Sequence, residues 1–179
     1  RWMSILLATP GSVLWLMEYP AQGIPAIRRE AEARGVDASR LVFLDKYPDV
    51  QHLRIKSLAD LFLDTPLYNA HGTAADALWA GVPVLTVGAE HKMASRVAAG
   101  LVRAIGTPEL VASDLDEYEA IAVQLAKDVK RHTKIVKRVR KNRLTSSLFD
   151  TKHWTRRAEY LFLAMEEARL ADPPVKRNK

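Results

Sequence analysis

The chain has 179 residues, 48% of them apolar and 27% charged, with a formal net charge of +6 and a pI near 9.6. That is the length of one ordinary domain with enough apolar content for a core, which excludes global disorder. The lack of cysteine excludes a disulfide framework, a thiolate zinc site and a cysteine nucleophile, and no apolar run nears the ~18 residues of a membrane span.

The elements follow in chain order. Arg1-Trp2-Met3 shows neither a start methionine nor a leader. Residues 2–8 read as helix with no Ser, Asp or Asn cap ahead of them, the pattern of a chain cut inside a helix with more protein upstream. Residues 12–17 (SVLWLM) form a short run of strand formers opened by Pro10-Gly11. Residues 26–35 (AIRREAEARG) predict a helix closed by Gly35. Residues 40–44 predict a second strand, 50–59 a polar helix carrying His52, Arg54 and Lys56, and 60–64 (DLFLD) a third strand. Residues 73–80 predict a short helix ended by Gly81-Val82-Pro83, followed by a fourth strand at 83–87 and a helix at 92–100. Strands alternating with helices of about ten residues imply βαβ units and a parallel sheet. The near-continuous apolar strands imply a sheet covered on both faces, with Trp15 and Trp79 in the core.

From about residue 113 the strand signal stops. Asp114 or Asp116 can cap a helix that carries Tyr118, Ile121, Ala122 and Leu125 on one face. A basic helical stretch follows. A last helix, 151–170, offers Tyr160, Leu161, Leu163, Ala164 and Ala168 for packing back onto the sheet. The boundaries are therefore a Rossmann-like lobe at 1–125, a basic helical segment at 126–171 packing back on it, and a proline-broken flexible tail at 172–179.

The charge is unevenly spread. Residues 127–157 hold twelve Lys and Arg against two Asp, a net +10, so the other 15 basic and 19 acidic residues leave −4. Lys130, Lys134, Lys137, Arg138 and Lys141 recur at helical spacing and share a stripe. A solvated face and a contact for phosphates, anionic lipid or an acidic partner are both open. No aromatic residue interleaves the stripe, which argues against base stacking.

Chemistry concentrates at residues 60–81, DLFLDTPLYNAHGTAADALWAG. A parallel strand ends at Asp64, a loop follows, and His71-Gly72-Thr73 opens a helix. In an open α/β sheet ligands lie beyond the carboxyl ends of the strands. A helix N-terminus there offers free N–H groups and a partial positive charge, which suits a phosphate. Thr73 adds a hydroxyl, and Asp76, one turn on, can accept ribose hydroxyls. Asp64 at the strand end is expected to hold the loop by hydrogen bonds. Tyr68 and Asn69 fit either loop shaping or a sugar contact. Neither G-x-G-x-x-G nor G-x-x-x-x-G-K-[ST] is present, which removes the dinucleotide and P-loop fingerprints. His91, His132 and His153 are too widely spaced to suggest a metal site. The residues alone leave an anion or nucleotide site and a merely capped helix both open.

The segment LDTPLYNAHGTAADALWAGVPVLT resembles the C-terminal lobe of the catalytic region of protein O-GlcNAc transferases. PGSVLWLMEYPAQG, SRLVFLDKYP, QHLRIKSLADLFLDT, MASRVAAGL and SSLFDTKHWT have counterparts in the same order. The resemblance implies a GT-B fold of two Rossmann-like lobes. It implies metal-free, inverting transfer of N-acetylglucosamine from UDP-GlcNAc to Ser or Thr hydroxyls of nuclear and cytoplasmic proteins, with tetratricopeptide repeats upstream. It places His71, Gly72 and Thr73 at the UDP diphosphate, Asp76 at the ribose, His52 beside the uracil and Tyr47 where backbone groups read the uracil edge.

The chain departs from the family pattern in places. Gly72 stands where threonine is frequent, Asp49 where some members have lysine and Ile55 where some have arginine, with Arg54 or Lys56 as compensating cations. One residue is added near Gly88-Ala89-Glu90-His91-Lys92. The family's phosphate-contacting lysine and candidate general bases belong to upstream segments, so no catalytic residue is assignable here. A UDP-GlcNAc epimerase-like enzyme and a non-catalytic module binding anionic lipid or acidic partners are the alternatives.

Overall fold

The computed structural model describes residues 1–88 and 92–171. The added residue near His91 and the tail at 172–179 therefore fall outside the described residues. The order is α1 (Trp2–Ala8), β1 (Leu14–Met17), α2 (Ile24–Ala33), β2 (Leu41–Leu44), α3 (Asp49–Lys56), β3 (Phe62–Leu63), α4 (Gly72–Ala80), β4 (Val84–Val87), α5 (Val97–Ala104), β5 (Val111–Ala112), α6 (Leu115–Lys127), α7 (Val129–Asn142) and α8 (Thr151–Ala171). All strand pairs are parallel, and the strands alternate with helices.

Two parallel sheets replace the single sheet expected. β1 pairs with β2, Leu14 opposite Leu41. β3, β4 and β5 form the second sheet, with Phe62 opposite Val84 and Thr86 opposite Val111. β3 is only two residues long and pairs with β4; among the described residues no backbone pairing joins it to the first sheet. Side chains make the connection instead: Leu63 packs against both hydrophobic clusters, one around Leu14, Val36 and Leu41, the other around Leu78, Leu85 and Val102. β4 is buried at all four positions, as a central strand covered on both faces must be.

Local chemistry sets the helix ends. Gly35 and Gly81 take left-handed φ values of 78° and 86°, and the next residues, Val36 and Val82, donate back to Ala31 and Ala77 at 2.9 Å. These are the glycine stops read from the sequence. Asp114, not Asp116, caps α6, accepting from the N–H groups of Asp116 and Glu117 at 2.9 and 2.8 Å. Asp128 caps α7 through Arg131 N–H at 2.9 Å, and Asp150 accepts from His153 N–H at the start of α8.

Three expectations are corrected. The segment after β4 is a short turn, Met93–Ser95, followed by α5, so Gly100 lies inside a helix instead of ending one. Trp79 is 44% exposed and meets Phe149 edge-on at 5.1 Å, and Trp15 is only half-buried. α7 buries Ile135 and Val139 in the larger cluster, but α8 has no buried residue. Its Tyr160, Leu161 and Leu163 are 65, 55 and 66% exposed, so it does not pack back onto the lobe.

Candidate functional site

The site is built at the carboxyl end of β3. Asp64 N–H donates to Leu85 O at 3.0 Å, which fixes the strand end. The Asp64 side chain turns inward and is 2% exposed. One carboxylate oxygen accepts from Ala70 N–H and the other from the Thr86 hydroxyl, both at 2.7 Å. Tyr118 OH donates to the Asp64 carbonyl at 2.9 Å. Burial raises the Asp64 carboxyl above the ordinary carboxylate value, against the lowering pull of the Ala70 amide and the Thr86 hydroxyl. Burial likewise pushes the Tyr118 phenol well above its ordinary value.

Asn69 holds the loop from the side. It is 1% exposed. Its amide donates to Thr65 O at 2.9 Å, and its side-chain oxygen accepts from Ala98 N–H at 3.2 Å. Its backbone N–H donates to Ala94 O at 2.8 Å. Asn69 therefore shapes the loop. Asp64 holds that loop as expected, through its contact with Ala70.

The loop delivers His71 to the start of α4. The first helical N–H with a backbone partner is Ala75, which bonds His71 O at 3.1 Å. The N–H groups of Gly72, Thr73 and Ala74 have no hydrogen-bond partner among the described residues, His71 supplies no side-chain cap, and the first turn holds no acid. Three donors and the positive end of the helix dipole are thus left open. The His71 ring lies nearly parallel to Tyr68, centroids 5.0 Å apart. Its Nε2 is 3.3 Å from Ala94 O. A carbonyl only accepts, so Nε2 carries the hydrogen in that contact and Nδ1 is left for another partner.

Lys56 ties α3 to this helix end. Its Nζ stands 3.3 Å from Asp76 Oδ2 and 3.4 Å from Thr73 O. Of the two compensating cations, Lys56 reaches α4, whereas Arg54 is exposed and forms no ion pair among the described residues. His52 lies four residues before Lys56 and so shares its face of α3. Asp49 occupies the first turn of α3, where a negative charge suits the dipole. Tyr47 sits half-buried just before α3. Among the described residues neither Tyr47 nor His52 hydrogen-bonds the start of α4. His71, Gly72, Thr73 and Asp76 are thus brought together, while Tyr47 and His52 stand on the adjoining α3 side.

Sequence reasoning missed Thr86. Its one visible signal is a polar side chain in an otherwise apolar strand, where a buried hydroxyl demands a partner. Among the described residues no cluster of three or more His, Asp or Glu could hold a metal ion, and no helix is long and apolar enough to cross a membrane.

Residues 1–158 match the family described as glycosyl transferase family 41. The chain belongs to that family. It is 42% identical over 165 residues to a probable UDP-N-acetylglucosamine--peptide N-acetylglucosaminyltransferase, SEC, of Arabidopsis thaliana, with 92% of this chain and 17% of the relative covered. It is 43% identical over 153 residues to the UDP-N-acetylglucosamine--peptide N-acetylglucosaminyltransferase of Caenorhabditis elegans, covering 86% and 13%. Its fold matches a mutant O-GlcNAc transferase of Thermobaculum terrenum with a TM-score of 0.80 at 31% identity, over 91% of this chain and 31% of that one. The family 41 chain described here thus spans about a sixth or less of the two curated relatives. The fold match supports the Rossmann-like lobe read from the sequence.

Proposed function

We propose that this chain forms the donor-binding half of an inverting glycosyltransferase that moves N-acetylglucosamine from UDP-GlcNAc to Ser or Thr hydroxyls of proteins. The observation that carries the reading is the open N-terminus of α4, presented by a loop that Asp64 and Asn69 lock from below and from the side. Gly72 and Thr73 offer N–H groups to the diphosphate and His71 offers its free ring nitrogen. Asp76 accepts ribose hydroxyls, with His52 and Tyr47 on the uracil side.

In the transfer, the acceptor oxygen forms a bond to the anomeric carbon as the bond to the UDP oxygen breaks. The acceptor proton passes to a base outside this chain. The helix end and His71 stabilise the charge left on UDP, an electrostatic role that needs no metal. The upstream lobe, tetratricopeptide repeats and a nuclear and cytoplasmic location belong to the same proposal. Family membership and the names of the relatives favour transfer over epimerisation.

Calorimetric titration with UDP tests the reading. Hydrogen bonds to charged groups are worth about 1.5–3 kcal/mol, so His71→Ala should weaken UDP binding by roughly tenfold or more. Unchanged affinity removes His71 from the site.

A second reading concerns α7. Lys130, Lys134, Lys137 and Lys141 are exposed and form no ion pair among the described residues, which supports contact with an anionic lipid surface.

A further inference from the structure

Lys56 sits where a cation is not expected on local grounds. It is the last residue of α3, yet its side chain is only 13% exposed and its ammonium lies against the first turn of α4. A helix N-terminus is already positive, so an ammonium there is repelled by the dipole. Partial burial of the ammonium adds a desolvation cost. Asp76 offsets both. Its Oδ2 is 3.3 Å from Lys56 Nζ. Its Oδ1 makes no hydrogen bond among the described residues, and half of the side chain is exposed. Lys56 thus grips one oxygen of a carboxylate whose other oxygen is left over, one turn from three free N–H groups.

We propose that Lys56 is a positioning residue for nucleotide recognition. By holding Oδ2 it fixes the Asp76 carboxylate so that Oδ1 is presented to the hydroxyls of the ribose. It also balances the Asp76 charge, which would otherwise repel the diphosphate at the helix end. Lys56 acts through Asp76 and does not itself touch the ligand. The proposal rests on the UDP reading above and adds a residue to it: the α3 helix contributes to the ribose site as well as to the uracil side. It also accounts for the place of Lys56 beside a helix end that, without a ligand, gains nothing from a second positive charge.

A double-mutant cycle tests this, with UDP affinity measured by calorimetry on the chain, Lys56→Met, Asp76→Asn and the pair. Lys56→Met should weaken UDP binding by about three- to fivefold, the upper part of the range expected of a partly exposed ion pair. In the Asp76→Asn background the same substitution should change affinity less than about twofold. Lys56→Arg, which keeps the cation, should restore binding to within about twofold. Thermal unfolding of each variant separates affinity from folding.

An equal loss in both backgrounds overturns the proposal, because Lys56 would then touch the ligand directly. No loss in either background also overturns it, because Lys56 would then only clamp two helices. In both of these cases UDP still binds the unsubstituted chain and the nucleotide reading stands. If UDP does not bind the unsubstituted chain, the nucleotide reading fails and this proposal falls with it.

Discussion

Asp64 is the most exacting test of how the site is held, because two opposed effects meet on one carboxylate. Burial favours its protonated form, whereas Ala70 N–H and the Thr86 hydroxyl favour its ionised form. Burial wins, and the folded pKa lies above the ordinary value of 3.8. An unfolded chain ionises at that ordinary value. Between the two values the folded chain keeps a proton that the unfolded chain has lost. The contribution of Asp64 to stability therefore falls as pH rises from about 4 through the folded pKa, and stays reduced above it.

Each unit of separation corresponds to about 1.4 kcal/mol. Asp64→Asn removes the ionisation. It keeps an oxygen for Ala70 and turns the second contact around, with the amide donating to the Thr86 oxygen. Below about pH 4 the variant should be less stable by about 1 kcal/mol, one neutral contact being reorganised. Toward pH 7 that deficit should shrink or reverse. Asp64→Ala, which leaves the Ala70 N–H and the buried Thr86 hydroxyl without this partner, should cost more than Asp64→Asn throughout, about 2–5 kcal/mol below about pH 4 and less toward pH 7. Urea denaturation of the three proteins, followed by circular dichroism from about pH 3.5 to 7, reads the difference directly. A deficit for Asp64→Asn that is flat with pH, or that grows as pH rises, refutes the reasoning. The hydrogen bonds would then dominate burial.

Two further outcomes follow from the C-terminal helices. Ending the chain after Asp150 should remove helical signal but leave the unfolding midpoint within about 2 °C, because α8 buries no residue; a larger loss would mean that α8 is docked in solution. For α7, each Lys near an anionic surface is worth about 1 kcal/mol. Replacing Lys134 and Lys137 with Ala should thus weaken binding to phosphatidylserine-containing vesicles by roughly tenfold or more. Equal binding to neutral vesicles removes the lipid reading.

β1 to β4 were legible because each lies in a run of apolar residues, and the start of α6 because Asp114 stands at its cap position. β5 was not legible: two residues, Val111 and Ala112, carry no period. The start of α5 was missed for another reason. Its N-terminal N–H at Ala98 is bonded by Asn69, 29 residues away, so no local cap marks it. The same tertiary contact decided the role of Asn69, which from sequence fitted loop or sugar equally. Within the site, His71 to Asp76 were legible because they are contiguous on one helix end. That Lys56, and not Arg54, reaches that end depends on how α3 lies against α4, which periodicity alone does not fix. The exposed face of α8 was misread because an apolar stripe shows that something can be covered, not what covers it.

The basic surplus and the anion site are connected through the helix dipoles rather than through shared residues. The C-terminal ends of α4 and α5 carry free carbonyls and partial negative charge, and α7 meets them there. Arg143 donates to Trp79 O at 2.6 Å, near the end of α4. Asn142 and Arg138 donate to Ile105 O and Gly106 O, just beyond α5, at 2.8 and 3.2 Å, and Arg138 also pairs with Glu109 at 2.6 Å. Two of the twelve basic side chains of residues 127–157, Arg138 and Arg143, are therefore used against the negative ends of these two helices. Their positive ends lie on the loop side, where Asn69 caps α5 and nothing in the described protein caps α4. The same packing that gives α7 its cationic contacts thus leaves one helix end open for an external anion. The lysines on the outer face of α7, with Lys152, Arg156 and Arg157 at the start of α8, remain exposed for any other partner.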